Sequence, residues 1–168
     1  MDHLDTIFAR NCRVERIPKP EAAAFLDANH RLGSTGGRYF YGLFVERSTG
    51  ASESHVKEGT LAAVAVFSNA RRWEKDGRII RSYEWIRYAS LKGLRVTGGM
   101  GKLLNAFISE VQPDDIMSYA DTEYPDGGDA YRQLGFIQES TKECNGHLNI
   151  KYRLRPILTH ITENPHTP

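Results

Sequence analysis

Between residues 78 and 111 the apolar pattern changes its period, and this restricts the chain to folds in which a long strand passes through a glycine-rich turn into an amphipathic helix. Ile79, Ile80, Tyr83, Trp85, Ile86, Tyr88 and Ala89 predict the longest strand of the chain over residues 78–90, with enough irregularity for a bulge. Met100, Leu103, Leu104, Phe107, Ile108 and Val111 then recur at helical spacing over residues 98–111, and Pro113 stands just past the end.

Around this junction the chain alternates short elements. Residues 12–18 predict a first strand ended by Pro18, and residues 21–28 an Ala-rich helix behind Pro20. Residues 29–38 read as a glycine-rich loop and residues 39–45 as a strand. A polar connection follows over 46–59. The nearly continuous apolar run 61–67 then suits a strand buried on both faces. Residues 69–77 read as a basic turn, 115–120 as a strand, and 124–128 as a turn. A short helix is expected over 130–134, capped by Asp129 and ended by Gly135. Strands at 136–140 and 148–154 and a fraying tail beyond Pro156 complete the reading. This order predicts a mixed three-layer α/β domain rather than a helical bundle or an all-β barrel.

The 168 residues suit one domain over 1–156, and 40% hydrophobic with 26% charged residues is a globular composition. No apolar run approaches the roughly 20 residues of a bilayer span, and the first residues lack a secretory pattern, so a soluble, cytoplasmic protein with no membrane partner is expected. Cys12 and Cys144 are read as free thiols. The net charge of +1 conceals an asymmetry: residues 68–102 carry nine Arg or Lys against three acids, whereas residues 110–129 carry seven acids and no base. Such a division can separate an anionic cofactor from a cationic acceptor, and it equally describes ordinary solvated faces.

Arg95-Val96-Thr97-Gly98-Gly99-Met100-Gly101-Lys102 is the sharpest local signal. Unpaired amides at a helix start point toward an anion, glycine allows close approach, and the helix dipole favours negative charge. The segment has neither P-loop nor dinucleotide spacing, and a plain turn or packing use remains an alternative.

Arg95-x-x-Gly98-x-Met100 resembles the Q/R-x-x-G-x-G/A signature of the GCN5-related N-acetyltransferases, with Met100 in place of the last Gly or Ala. Tyr131-Arg132-Gln133-Leu134-Gly135-Phe136 resembles the late Y-x-x-L-G-F core of the same family. The resemblance covers residues 13–154 by order of elements. It implies a GNAT-like acyl-CoA N-acyltransferase fold whose central, mostly antiparallel sheet splays between the fourth and fifth strands, here 79–90 and 115–120. It further implies acetyl-CoA, or another acyl-CoA, as the donor. Tyr88, Ala89 and Ser90 would line the thioester arm, and Arg95 to Gly101 with Lys102 would hold the pyrophosphate. A narrower likeness joins Asn29-His30-x-x-Gly33, the long strand, the Gly-Gly helix start and Ser118-Tyr119-Ala120-Asp121. These resemble phage-type proteins related to the Mom DNA-modification protein, which share the fold and are linked to adenine hypermodification, making DNA a possible partner.

Acyl transfer to an amine needs a route for the amine proton and a donor for the leaving thiolate. The resemblance assigns the donor role to Tyr131, whose alternative is packing beneath Phe136. Glu84, an acid within an aromatic strand, is either a base or a structural partner of Arg87 or Arg81. Asp121 recognises a cationic acceptor, assists in removing the amine proton, or caps the following turn, with Ser118 as its weaker companion. His30, in the glycine-rich connection, is either a base, which its near-neutral reference pKa suits, or an ordinary exposed loop histidine. The remaining histidines, His3, His55, His147, His160 and His166, form no metal motif. Arg71, Arg72 and Trp73 suit nucleic-acid contacts or a charged hairpin turn. The expected activity is direct ternary-complex acyl transfer to a small or macromolecular amine by a monomer or homodimer. Modification of a DNA base, a non-catalytic coenzyme-binding module and a pure interaction protein are the alternatives.

Overall fold

The computed structural model describes residues 5–47, 56–121, 126–144 and 146–156. The chain separates into two compact units: Met1–Asn69 with Glu84–Phe107, and Ala70–Tyr83 with Ile108–Pro168.

In the first unit, β2 (Cys12–Arg16), β3 (Tyr39–Val45), β4 (Leu61–Phe67) and the later half of β6 (Arg78–Ser90) are neighbours with antiparallel registers. Each side chain from Ala62 to Phe67 is wholly buried, as the unbroken apolar run requires. Alternation along the strand divides its partners between the two faces. Helix α1 (Lys19–Asn29) brings Ala22, Phe25 and Leu26 against Val64, Val66 and Ala89, and Pro20 sits in its first turn, where a missing N–H costs nothing. On the other face α2 (Gly99–Val111) places Phe107 parallel to Phe67, ring centroids 3.9 Å apart, with Tyr41 edge-on at 6.3 Å. The expected irregularity in β6 is real. The register passes from Val66↔Arg87 to Phe67↔Trp85, leaving Ile86 as the extra residue, and the Trp85 indole donates to the Arg87 carbonyl across it.

One pairing has no precursor in the sequence reading. β1 (Asp5–Phe8) runs parallel to β7 (Leu94–Thr97), and a 3-10 turn (Ala9–Asn11) links β1 to β2. Residues 95–97, read as loop, are therefore strand. Two short segments joined in parallel across most of the chain leave no turn signal between them.

In the second unit, β8 (Asp115–Asp121), β10 (His147–Leu154) and β9 (Ile137–Cys144) form an antiparallel set in that order, and β5 (Arg71–Lys75) pairs with the start of β6. The basic turn expected at 69–77 is thus mostly a strand. The turn itself is Asp76-Gly77, with φ of 51° and 76°, the left-handed pair that closes a two-residue hairpin. Helix α3 spans Asp126–Gln133, starting earlier than the sequence suggests and enclosing Asp129, which therefore does not cap it. Gly135 follows with φ of 94°. The turn expected at 124–128 lies partly outside the described residues, as does the polar connection 46–59.

Three strands of this unit are tied by ionic contacts. Arg153 donates to both Glu139 oxygens and sits 2.9 Å from buried Asp115, and Lys151 reaches Glu139 at 3.2 Å. The hydrogen bond from Arg153, helped by Lys151, holds the Glu139 carboxyl down at about 2 against an ordinary 4.5. A depressed carboxylate stabilises the fold above its unfolded pKa and loses that contribution as pH falls through the folded one. Thermal melts should therefore show a fall in Tm between about pH 4.5 and pH 2, and Glu139→Gln should flatten that part of the profile.

Candidate active site

The segment expected to cradle an anion lies wholly in the first unit. Strand β7 ends at Thr97, Gly98 takes φ of 79°, and the first helical bond of α2 runs from the Lys102 N–H to the Gly98 carbonyl at 3.0 Å. The amides just inside that bond lack intrahelical acceptors by construction, and they carry the positive end of the helix dipole. Arg95, Thr97 and Gly98 are exposed, as an anion would require, and Val96 is half-buried beneath them.

Gly99 is tightly enclosed. A Cβ there would stand 2.8 Å from the Tyr88 hydroxyl oxygen and 2.9 Å from Val96 Cγ1. Burial pushes the Tyr88 phenol up to about 12, so it remains neutral and serves as a packed floor for the helix start. Gly99→Ala should destabilise the protein by about 1–3 kcal/mol through overpacking. Tyr88→Phe should recover part of that loss, because it removes the nearer of the two clashing atoms; denaturant unfolding of the three variants measures both effects. Met100, which departs from the family pattern, is half-buried.

Lys102 is placed differently from the phosphate contact the resemblance implies. Its ammonium donates to the Ala9 carbonyl at 2.9 Å and to the Cys12 carbonyl, fixing the 3-10 turn whose Ala9 lies beside Gly98. The charge is already answered by backbone oxygens. Cys12 is buried as a free thiol with its pKa raised by that burial, and the side chain of Cys144 lies outside the described residues. Tyr88, Ala89 and Ser90 stand opposite Ala65, Val64 and Ala63 of β4, with Ala89 in the core.

A polar cluster occupies the α1 side of the same unit. His30 ends α1, and its Nδ1 accepts the Leu32 N–H at 3.0 Å, which leaves the neutral ring's proton on Nε2. Burial, then Arg87 and Arg31, lower its pKa, so it is neutral at pH 7. The guanidinium of Arg87 donates to the carbonyls of Gly33 and Ile86. Half-buried Glu84 has its pKa raised by burial and partly drawn back by Arg87. Arg87 thus acts electrostatically on both candidate bases while holding the loop after α1. Asn29 is structural: its side chain accepts the Lys92 N–H and donates to the Phe25 carbonyl. Gly33, with φ of 70°, leaves room for Asp27 Oδ1, which accepts the Ser34 N–H.

The second unit holds a hydroxyl pair. Ser118, buried on β8, donates to the Tyr131 hydroxyl oxygen on α3 at 2.7 Å, joining two residues that the sequence points to separately. The Tyr131 ring packs against Phe136 and Tyr152 at centroid distances of 5.3 and 5.5 Å, so its structural and chemical readings coexist. Tyr152 stands directly opposite Ser118 in register, and sequence reasoning misses it. Gly128 admits it, since a Cβ there would meet the Tyr152 hydroxyl at 2.8 Å. Two glycines opening a short helix are the available signal. Asp121, half-buried, ends β8 opposite Asn149, and the turn it was expected to cap lies partly outside the described residues. Among the described residues no group of three or more His, Cys, Asp or Glu could hold a metal, and no helix is long and apolar enough to cross a membrane.

No protein-family model matches the sequence, and no curated protein sequence matches it. Solved structures do. A protein from Desulfovibrio desulfuricans assigned to the GNAT family of acetyltransferases superposes with a TM-score of 0.61 at 15% identity, over 86% of this chain and 98% of that one. The ribosomal-protein-S18-alanine N-acetyltransferase of Escherichia coli gives 0.58 at 14% identity, over 86% and 93%. A Bacillus subtilis acetyltransferase solved with CoA gives 0.56 at 14%, over 87% and 99%. The chain has the mixed α/β architecture of an acyltransferase fold. That fold is the one of the GCN5-related N-acetyltransferases.

Proposed function

We propose that the chain is an acyl-CoA-dependent N-acyltransferase that moves an acetyl or similar group directly to an amine. The observation that carries this reading is the cradle: a left-handed Gly98 leads into α2 across Gly99, whose missing Cβ is required by Tyr88 and Val96. The residues fit a pyrophosphate, with the amides at the α2 start and exposed Arg95 and Thr97 as its partners. Lys102 contributes by holding the 3-10 turn in place. The coenzyme, when bound, supplies a thioester already activated toward an amine. Two of the three solved structures agree in kind, one holding CoA and the other acting on an alanine amine.

Within this reading a neutral His30 or a Glu84 of raised pKa accepts the proton that the amine loses on attack. Asp121 assists in drawing a cationic acceptor. Tyr131 protonates the departing sulfur, and Ser118 stabilises the oxygen from which that proton leaves. Positioning and a preorganised polar environment supply the rate enhancement, with no covalent enzyme step.

Calorimetric titration of the purified protein with acetyl-CoA, followed by a transfer assay on peptide N-termini, lysine and polyamines, tests the proposal. Saturable binding with release of free thiol in the presence of one amine class supports it. A folded protein that binds no acyl-CoA overturns it.

A further inference from the structure

The second unit contains a cavity of about 290 Å³ that none of the cradle residues lines. Its wall is one face of the β5–β6 hairpin. Trp73, Lys75, Arg78 and Ile80 share this face by register, and Arg155 joins them beyond the end of β10. Trp73 is 38% exposed, and its indole N–H is already donated to the buried Ser82 hydroxyl at 2.8 Å. The ring is therefore fixed, and what it presents to the cavity is aromatic surface rather than a donor.

The charges around it are unequal in what they have left to bind. Asp114, which also lines the cavity, accepts the Arg81 N–H at 2.7 Å and lies 3.8 Å from its Nε, and Asp115 is held by Arg153. Lys75, Arg78 and Arg155 have no such partner among the described residues. Moreover, Lys75 and Arg78 stand directly opposite each other in the ladder. Like charges so placed destabilise a hairpin. An anion between them converts that repulsion into binding energy.

We propose that this cavity binds a nucleotide unit, its base stacked on Trp73 and its phosphate between Lys75, Arg78 and Arg155. A fixed aromatic face beside uncommitted cations is the chemistry by which proteins hold single-stranded nucleic acid. The volume, near the lower end of the roughly 300–1,000 Å³ common for ligand sites, admits one base with its phosphate. The inference stands independently of the acyltransferase reading.

The chain has two tryptophans, and Trp85 is only 2% exposed, so ligand-induced quenching of the intrinsic fluorescence reports on Trp73. The full chain is titrated with a short oligothymidylate and, separately, with thymidine monophosphate at low and moderate salt. Expected are quenching and saturable binding, weakened about tenfold or more in Lys75→Ala/Arg78→Ala, with a salt dependence shallower by roughly 0.7 for each phosphate that is no longer neutralised. That double variant removes an opposed like-charged pair, so its Tm should not fall. Equal affinity for the monophosphate identifies a free nucleotide as the ligand, and preference for the oligonucleotide identifies a strand; both support the proposal. Gly98→Asp should leave the affinity unchanged, and a loss there would move the ligand to the cradle and overturn it. Absence of quenching in the folded parent, or undiminished affinity in the double variant, overturns it as well.

Discussion

Replacing Gly98 by Asp should weaken acetyl-CoA binding about a hundredfold or more, whereas Gly98→Asn should retain most of it. The pair separates charge from geometry. Gly98 has φ of 79°, a conformation that Asn and Asp tolerate better than other side chains, and a Cβ would meet Ala9 Cβ at an ordinary 3.5 Å. Both variants therefore face the same modest strain in the same open space. Only the aspartate sets a negative charge at the mouth of the helix dipole. At about 4 Å, with the effective dielectric of a protein surface, two like charges repel by about 4 kcal/mol. Titration of both variants at low salt, with circular dichroism to verify the fold, measures the difference. Equal loss in both would mean that backbone strain controls the site; no loss in either would remove the anion from this loop.

What the sequence revealed depended on how local each signal was. The buried run of β4, the aromatic β3 and the long β6 with its bulge announce themselves by periodicity, as does α2 by helical spacing. β1 and β7 do not, because each is four residues long and finds its partner across the chain. β5 is hidden by its charges: Arg71, Arg72, Glu74 and Lys75 carry no apolar alternation, although Asp76-Gly77 is a strong hairpin signal by itself. The site divides in the same way. Gly98 and Gly99 are readable from the motif, and Tyr131 and Ser118 each stand out in the sequence, but the hydrogen bond between them does not. The engagement of Lys102 with carbonyls some ninety residues earlier is not readable either, since no local pattern encodes a long-range contact of that kind. Arg87 is legible only as a partner for Glu84, while the fold makes it the common neighbour of Glu84, His30 and the Gly33 carbonyl.

Tyr131→Phe should lower kcat by about 10²–10⁴-fold, the usual contribution of a positioned acid, while leaving the affinity for acetyl-CoA unchanged. Phenylalanine keeps the ring that packs on Phe136 and Tyr152, so the variant removes the hydroxyl and little else. Some stability will be lost too, because the 2.7 Å hydrogen bond from buried Ser118 goes with the hydroxyl, and a lost intramolecular hydrogen bond costs about 0.5–1.5 kcal/mol. That loss would confuse a single-variant experiment. Ser118→Ala alone should reduce kcat far less, since Tyr131 keeps its proton, and the double variant Ser118→Ala/Tyr131→Phe should regain much of the stability by removing both partners. If Tyr131 is the acid, activity in the double variant stays as low as in Tyr131→Phe. If the hydroxyl pair serves only to seat α3 on β8, activity returns along with stability. Steady-state kinetics and denaturant melts on the four proteins decide between a proton donor and a structural hydrogen bond.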